Sequence, residues 1–364
     1  MAEYDEVYQK LAEKYAHKGS ENFLAQLKVL MTPNEGRLLL ELSSKMAPAD
    51  LAKKLNLDAA TLTETLDKMA RRGLVYREKG EYLAWPDAHQ FGVRVSHSKD
   101  KYIPPEFAEL RKAGRGEGGG MGDTSLHLKR FAETGVAGHR VIPARLAILA
   151  NPEIKPDQVL WYEDPAQLIE RNGGYGVVDC PCRRSQQNCD RPLWVCVHFR
   201  KNIVEYEVGR DGRMRAQDVQ EAIATNDMAE KAGLVHITPY NSAIMPGVIC
   251  NCCSCCCGVL KGAIASGKIM QIVSPSRFQA LVQEEKCEGC QDCIATCPFD
   301  AIEMVKTAGS KKLKAKVIKE KCLGCEVCVI QCKPKALRFD LVRPPEHIPL
   351  KAVGRTVGSA QVTT

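Results

Sequence analysis

Eight cysteines in the C-terminal third fall in two runs, Cys287-x2-Cys290-x2-Cys293-x3-Cys297-Pro298 and Cys322-x2-Cys325-x2-Cys328-x3-Cys332. This spacing suits a pair of cubane iron–sulfur clusters. Three thiols two residues apart wrap a tight loop whose sulfurs converge on one cubane, and the fourth leaves on a helix toward the other. Cys287, Cys290, Cys293 and Cys332 would then hold one 4Fe-4S cluster, and Cys322, Cys325, Cys328 and Cys297 the second. The chemistry expected is single-electron transfer. Zinc takes four Cys from two paired CxxC knuckles, and a doubled four-Cys run fits it poorly.

Ten further cysteines lie upstream. The first group is Cys180-Pro181-Cys182-Arg183 followed by Cys189 and Cys196, and the second is Cys250-Asn251-Cys252-Cys253-Ser254-Cys255-Cys256-Cys257. A lone Cys packs as a small hydrophobe. Six in eight positions cannot all do so, because neighbours in an extended chain point to opposite sides. In a tight turn ahead of a helix they can reach two metal centres, and helix amides from Gly258 onward would offset thiolate charge. Cys180, Cys182, Cys189, Cys196, Cys250, Cys252, Cys253, Cys256 and Cys257 are the expected ligands, while Cys255 has no assigned place. Ten thiols suffice for two cubanes with two to spare, or for one larger or non-cubane cluster. Three arrangements stay open. Cys180, Cys182, Cys189 and Cys196 hold one cubane and the second group another; or each cluster draws on both segments and staples the domain; or the site is structural zinc. Arg183 is expected to donate to a cluster sulfide or cap its loop, and His198 and His236 to be ordinary packed residues rather than ligands.

The stretch 278–339 resembles the bacterial two-cluster ferredoxin family, with one departure, Lys333 standing between Cys332 and Pro334. The longer stretch 142–340 is similar to a family of anaerobe proteins that pair a CxCR segment with a CNCC-type cluster ahead of such a module. That similarity is carried by Cys180, Cys182, Arg183, Cys189, Pro192, Cys196, Gly233, Asn241, Cys250, Asn251, Cys252, Cys253, Cys256 and Cys257. It implies iron–sulfur binding and no settled reaction.

Elements able to hold these groups are legible around them. Residues 3–85 carry apolar positions at helical spacing, with Thr32-Pro33-Asn34-Glu35 as a capping box, Pro48 opening a short helix, and Asp58 capping one that stops at Gly73. Residues 74–76 and 82–84 flank Lys79-Gly80 as a two-strand wing. The set looks like a winged helix-turn-helix domain. Its reading helix would offer Thr61, Thr63, Glu64 and Asp67 to a major groove, without an Arg or Asn placed for a bidentate base contact, so protein docking or dimerisation is favoured over DNA. Residues 114–122, rich in glycine, predict a tether; their GxGxxG match arises by chance in so dense a run and no strand precedes it. Beyond it, 165–171 and 216–232 predict helices, and 175–179 and 234–238 predict strands.

The fold class expected is α+β multidomain: a winged helix N-terminal domain over 1–100, a flexible linker over 101–135, a mixed α/β cysteine-rich middle domain over 136–275, a C-terminal bacterial-ferredoxin-like domain over 276–345, and a tail over 346–364. All 18 cysteines sit in dense groups and the start is polar, so a reducing cytoplasmic location and metal ligation are expected rather than disulfides. No apolar run suggests a membrane span. The formal charge of +7 counts every Cys as neutral; four oxidised cubanes at roughly −2 each would bring it near −1. Lys306, Lys311, Lys312, Lys314, Lys316, Lys319 and Lys321 form a patch between the two ferredoxin runs that could steer an acidic partner.

The expected function is a multi-cluster iron–sulfur electron-transfer subunit exchanging low-potential electrons with a partner redox enzyme, in an anaerobic source. Its cofactors would be two 4Fe-4S clusters in the C-terminal domain and one or two further iron–sulfur clusters in the middle. The alternatives are a reductase with a catalytic cluster or dithiol in the middle domain, and a redox-sensing DNA-binding regulator. A homodimer through the N-terminal domain is a further expectation.

Overall fold

The computed structural model describes residues 2–113, 124–239, 241–243 and 247–350. They fall into two compact units, one built from residues up to 126 with Lys201–Arg215, the other from His127–Arg200 with residues from 216 onward.

The first unit is a winged helix domain. Thr32 caps the helix Pro33–Glu41 in a reciprocal box, its side chain accepting from the Glu35 N–H while Glu35 accepts from the Thr32 N–H. Such a cap contributes about 1 kcal/mol. Asp58 caps the helix Ala59–Arg71, its carboxylate accepting from the Thr61 N–H at 2.8 Å. The strands Val75–Glu78 and Glu81–Ala84 pair antiparallel about Lys79 and Gly80, both at positive φ, as a tight primed turn requires. Leu39, Leu62, Leu66, Leu74 and Trp85 bury their side chains beneath. Residues 101–135, expected as a tether, include the helices Pro105–Ala113 and Thr124–Thr134. The glycine run itself, 114–123, lies outside the described residues, as does the tail from 351.

One element here has no sequence signal. The helix Lys201–Gly209, which the chain order puts between two elements of the second unit, packs with the winged helix. Tyr206 lies against the rings of Tyr76 and Trp85 and donates its hydroxyl to Val75 O at 2.7 Å. Glu207, fully buried, takes Arg94 at 3.0 Å and Arg210 at 2.6 Å, with His97 at 3.3 Å.

In the second unit seven strands form one sheet, in the order Arg215–Gln217, Tyr175–Asp179, Trp194–Phe199, Val248–Cys252, Val235–Thr238, His139–Ile142, Val273–Ser274. The last pair is parallel. The helix Val219–Lys231, opened by the Asp218–Glu221 capping box, packs Ala222 and Ile223 with Val197, Phe199 and Ile249. The helix predicted over 216–232 thus begins three residues later, because 215–217 is spent on an edge strand. Two antiparallel pairs follow in the C-terminal part: Phe278–Val282 with Leu337–Leu341, and Ile302–Val305 with Lys314–Val317. Between their strands lie the short helices Asp292–Thr296 and Val327–Gln331. The two halves repeat one backbone pattern, with positive φ at Gly289 and Gly324, Gln291 and Glu326, Asp300 and Lys335.

Gly324 is the tightest of these points. A Cβ there would collide with the Phe278 carbonyl and the Ser276 hydroxyl, and its φ is +66. Gly324→Ala is expected to lower stability by about 2–4 kcal/mol in denaturant titration. Gly309→Ala, at φ +78 with open space around it, should cost only about 1 kcal/mol; equal losses would contradict the steric argument.

Candidate metal centres

Two half-turns with helices behind them place the C-terminal thiols. Cys287, Cys290, Cys293 and Cys332 line one pocket, with Met304, Ala315 and Leu337 as its apolar wall. Burial pushes the Cys293 thiol up to about 11, and Cys332, Cys290 and Cys287 add to the rise. Cys322, Cys325 and Cys328 are buried. Burial raises each of them, and all three also feel Cys297. The fourth thiol of each run therefore lies with the other run's first three. Backbone N–H groups aim at sulfur from Ala301 to Cys297 at 3.4 Å, Ala315 to Cys287 at 3.4 Å, and Ala336 to Cys332 at 3.3 Å. Eight thiols, five of them buried, with N–H groups directed at three of the sulfurs, fit a cationic iron–sulfide core: the metal supplies the charge that stabilises thiolates against an apolar wall.

Glu326 was not foreseen. It stands between Cys325 and Val327 at left-handed φ, is buried, and neither carboxyl oxygen has a hydrogen-bond partner. Burial pushes it up to about 8. The sequence signal was a carboxylate inside a loop otherwise devoted to thiols.

Among the middle cysteines the structure groups Cys189, Cys253, Cys255 and Cys256, their sulfurs all within 4.8 Å of one another. Cys189 lies 3.9 Å from Cys253 and 3.8 Å from Cys256, and Cys255 3.7 Å from Cys256. Burial opposes the charge on Cys189, yet the Arg191 N–H and the thiols of Cys255, Cys256 and Cys253 draw it down to about 7. Cys255, without a place in the sequence reading, completes this foursome. Cys189 does not join Cys180, Cys182 and Cys196. The helix Pro181–Gln186 and its left-handed end at Gln187 carry it about 9 Å along the helix axis, away from the strand ends. This foursome therefore draws its thiols from both cysteine segments.

The remaining six, Cys180, Cys182, Cys196, Cys250, Cys252 and Cys257, gather on the sheet. Cys250 and Cys252 belong to a strand rather than the tight turn expected of them, and Cys257 stands immediately before the helix Gly258–Ala265, at its N-cap position. Arg183 lies between the two sets, buried, donating to Asn251 O at 3.0 Å and to the Cys253 sulfur at 3.8 Å, and also to Pro192 O. His236 is packed between Asn251 and Glu230, the latter at 2.7 Å. His198 is buried too.

On the winged helix, the side chains expected at a groove are engaged locally. Thr63 donates to Ala59 O at 2.7 Å, Glu64 pairs with Lys68 at 2.7 Å, and Asp67 accepts from Tyr82 at 2.6 Å and pairs with Arg77 at 2.9 Å.

Comparison with known families matches residues 286–336 to a 4Fe-4S dicluster domain and residues 31–81 to the MarR family. The chain carries a MarR-type winged helix domain and an iron–sulfur dicluster domain. A search of curated proteins finds no match to it. The dicluster domain gives the C-terminus its iron–sulfur clusters, and the cysteine-rich middle holds a thiol group fit for metal. No helix among the described residues is long and apolar enough to cross a membrane.

Proposed function

We propose that the chain is an electron-transfer subunit, relaying low-potential electrons between a partner redox protein and clusters held in its second unit. The observation that carries this reading is the place of Cys332 in the pocket of Cys287, Cys290 and Cys293, with Cys297 felt by Cys322, Cys325 and Cys328 in return, an exchange that would tie two adjacent clusters into one fold. Cys287, Cys290, Cys293 and Cys332 would hold one 4Fe-4S cluster; Cys322, Cys325, Cys328 and Cys297 the other. Cys189, Cys253, Cys255 and Cys256 would hold a third, which favours a metal site over a free Cys255–Cys256 dithiol. Bound clusters supply reversible one-electron chemistry. The chain's own residues fix their thiolates and direct N–H groups at sulfur. An anaerobic, reducing cytoplasm is the setting that suits them.

Lys306, Lys311, Lys312, Lys316, Lys319 and Lys321 are exposed along the segment between the two C-terminal thiol runs, a surface complementary to an acidic carrier. Stopped-flow oxidation of the anaerobically reduced protein by an acidic electron carrier should be fast and slow about tenfold or more between low and high salt. Reduced clusters that pass no electrons to any protein carrier would sink the relay.

A second reading, a redox-responsive DNA-binding regulator, is supported by the MarR match over 31–81. Arg71, Arg77 and Lys79 line a groove of the first unit, but Asp67, Glu78 and Glu205 line it as well, which weakens attraction to phosphate. Gel shifts with upstream DNA at stated salt, in oxidised and reduced protein, test it. Redox-dependent, sequence-selective retention would establish the regulator. A homodimer through the winged helix is compatible with either reading.

A further inference from the structure

The six thiols left after the four-thiol group is assigned form a closed circuit. Cys250 and Cys252, two apart in the strand Val248–Cys252, share one face of the sheet. Antiparallel pairing of Val197 with Ile249 sets Cys196 opposite Cys250 on that same face. In the next strand Val178 lies opposite Cys196, and Cys180 follows two residues later at its end. Two helices then contribute their first turns: Pro181–Gln186 brings Cys182, and Gly258–Ala265 brings its cap, Cys257. Around the ring Cys180 interacts with Cys182 and Cys196, Cys250 with Cys196 and Cys252, and Cys257 with Cys252 and Cys182. Five of the six are buried, and Cys250 is half-buried.

Six converging thiols exceed what a cubane uses. Each iron of a cubane already has three sulfides and accepts one terminal thiolate, so four thiolates saturate it. Two left over would be buried sulfurs pressed against a charged core without a metal bond, which burial of charge disfavours. The opposite face of the same strand is rigidly backed: Asn251 donates to Asn226 at 2.8 Å and to Val195 O, and meets His236, which pairs with Glu230; Glu230 in turn accepts the N–H groups of Arg145 and Leu146 at 2.7 and 2.8 Å. Such backing holds ligands in place before metal arrives.

We propose that Cys180, Cys182, Cys196, Cys250, Cys252 and Cys257 together bind one polynuclear iron–sulfur cluster with more than four irons, separate from the site of Cys189, Cys253, Cys255 and Cys256. This deepens the relay reading and rests on it. Arg183, reaching Cys253 while flanking the ring, is the cation placed between the two sites. Soft thiolates alone also accept zinc, and two zinc ions sharing six sulfurs are the chief competitor.

Metal and sulfide analysis of the anaerobically purified full chain, with Mössbauer spectroscopy of iron-57-labelled protein, decides the matter without any substitution. Three cubane sites account for about twelve irons. The ring should raise the total above about sixteen and add iron signals unlike those of the cubanes. A total of sixteen with cubane signals only, or twelve irons with about two zinc ions, would overturn the proposal. Cys250→Ser should remove ring iron beyond four atoms or change its signal, and Cys255→Ser should leave the ring signal intact; loss of one signal in both variants would also overturn it. The relay fails separately, through absence of the C-terminal pair's signals or of electron transfer to a carrier with ring iron present.

Discussion

Stripping metal from the intact chain with a chelator under anaerobic conditions is expected to unfold the cysteine-bearing unit while the winged helix unit stays folded. Its apolar cluster includes Cys252, Cys257, Cys287, Cys293, Cys322, Cys325 and Cys328 beside Val141, Leu260, Leu323 and Val327. Without metal those thiols become a ring of protonated groups around empty space, and the segments they join lose their common ligand. Metal binding of this kind is folding free energy, about 10–16 kcal/mol for a single structural zinc site. A typical domain has only about 5–15 kcal/mol in total. Hydrogen exchange read by mass spectrometry should show amides of the strands Trp194–Phe199 and Val248–Cys252 losing protection by several orders of magnitude. Those of Ala59–Arg71 should change little, since Leu62, Leu66 and Met69 pack in a core without a single cysteine. Unchanged protection in both units would show that the sheet folds on its apolar contacts alone.

Glu207→Ala should cost the winged helix unit about 3–5 kcal/mol, because it leaves the buried guanidiniums of Arg210 and Arg94 without a counter-charge. Tyr206, Glu207 and Arg210 are also the contacts by which the segment 201–215 adheres: Arg210 donates to Arg71 O at 2.9 Å and Arg94 O at 2.7 Å, besides its pair with Glu207. Burial alone would raise the Glu207 carboxyl, but Arg210, then His97 and Arg94, hold it far below its usual 4.5. The stability it contributes is therefore complete above about pH 4.5 and is lost as pH falls below that. His97 acts in the same direction. Burial lowers its pKa from 6.5, so the unfolded chain takes up the proton first, and stability declines as pH drops through 6.5. Urea titration with hydrogen exchange as the probe should show the unit weakening from pH 7 to pH 4, and Glu207→Ala should lose the carboxylate's own part of that decline, below about pH 4.5. A variant as stable as the parent, with the same pH slope, would mean the charge cluster contributes nothing.

Local chemistry was readable wherever the signal sits within a few residues. The Thr32 box, the Asp58 cap and the Lys79-Gly80 wing all appear where the sequence places them, since capping and turn geometry are decided by adjacent side chains. The strand Tyr175–Asp179 appears with its expected bounds. The reading faltered where pairing across the chain decides. Residues 250–252 look like a metal loop because of their cysteines, but the strand at 248–252 finds partners on both sides, Trp194–Phe199 and Val235–Thr238, and ladder hydrogen bonds outweigh turn tendency. The helix Lys201–Gly209 was missed because its apolar face is short and broken by Glu205 and Glu207. Its buried glutamate makes sense only beside Arg94, more than a hundred positions away.

By itself the sequence determined the chemistry: eighteen thiols in four dense groups, and two C-terminal runs whose spacing encodes their own loops, because ligand spacing within a run is a local property of the backbone. Tertiary structure alone decided which thiols meet. Whether Cys189 belongs with its neighbours in the chain or with Cys253, Cys255 and Cys256 depends on strand register and on where a short helix ends. Those are set by pairing between segments that are distant along the chain and adjacent only once the sheet has formed.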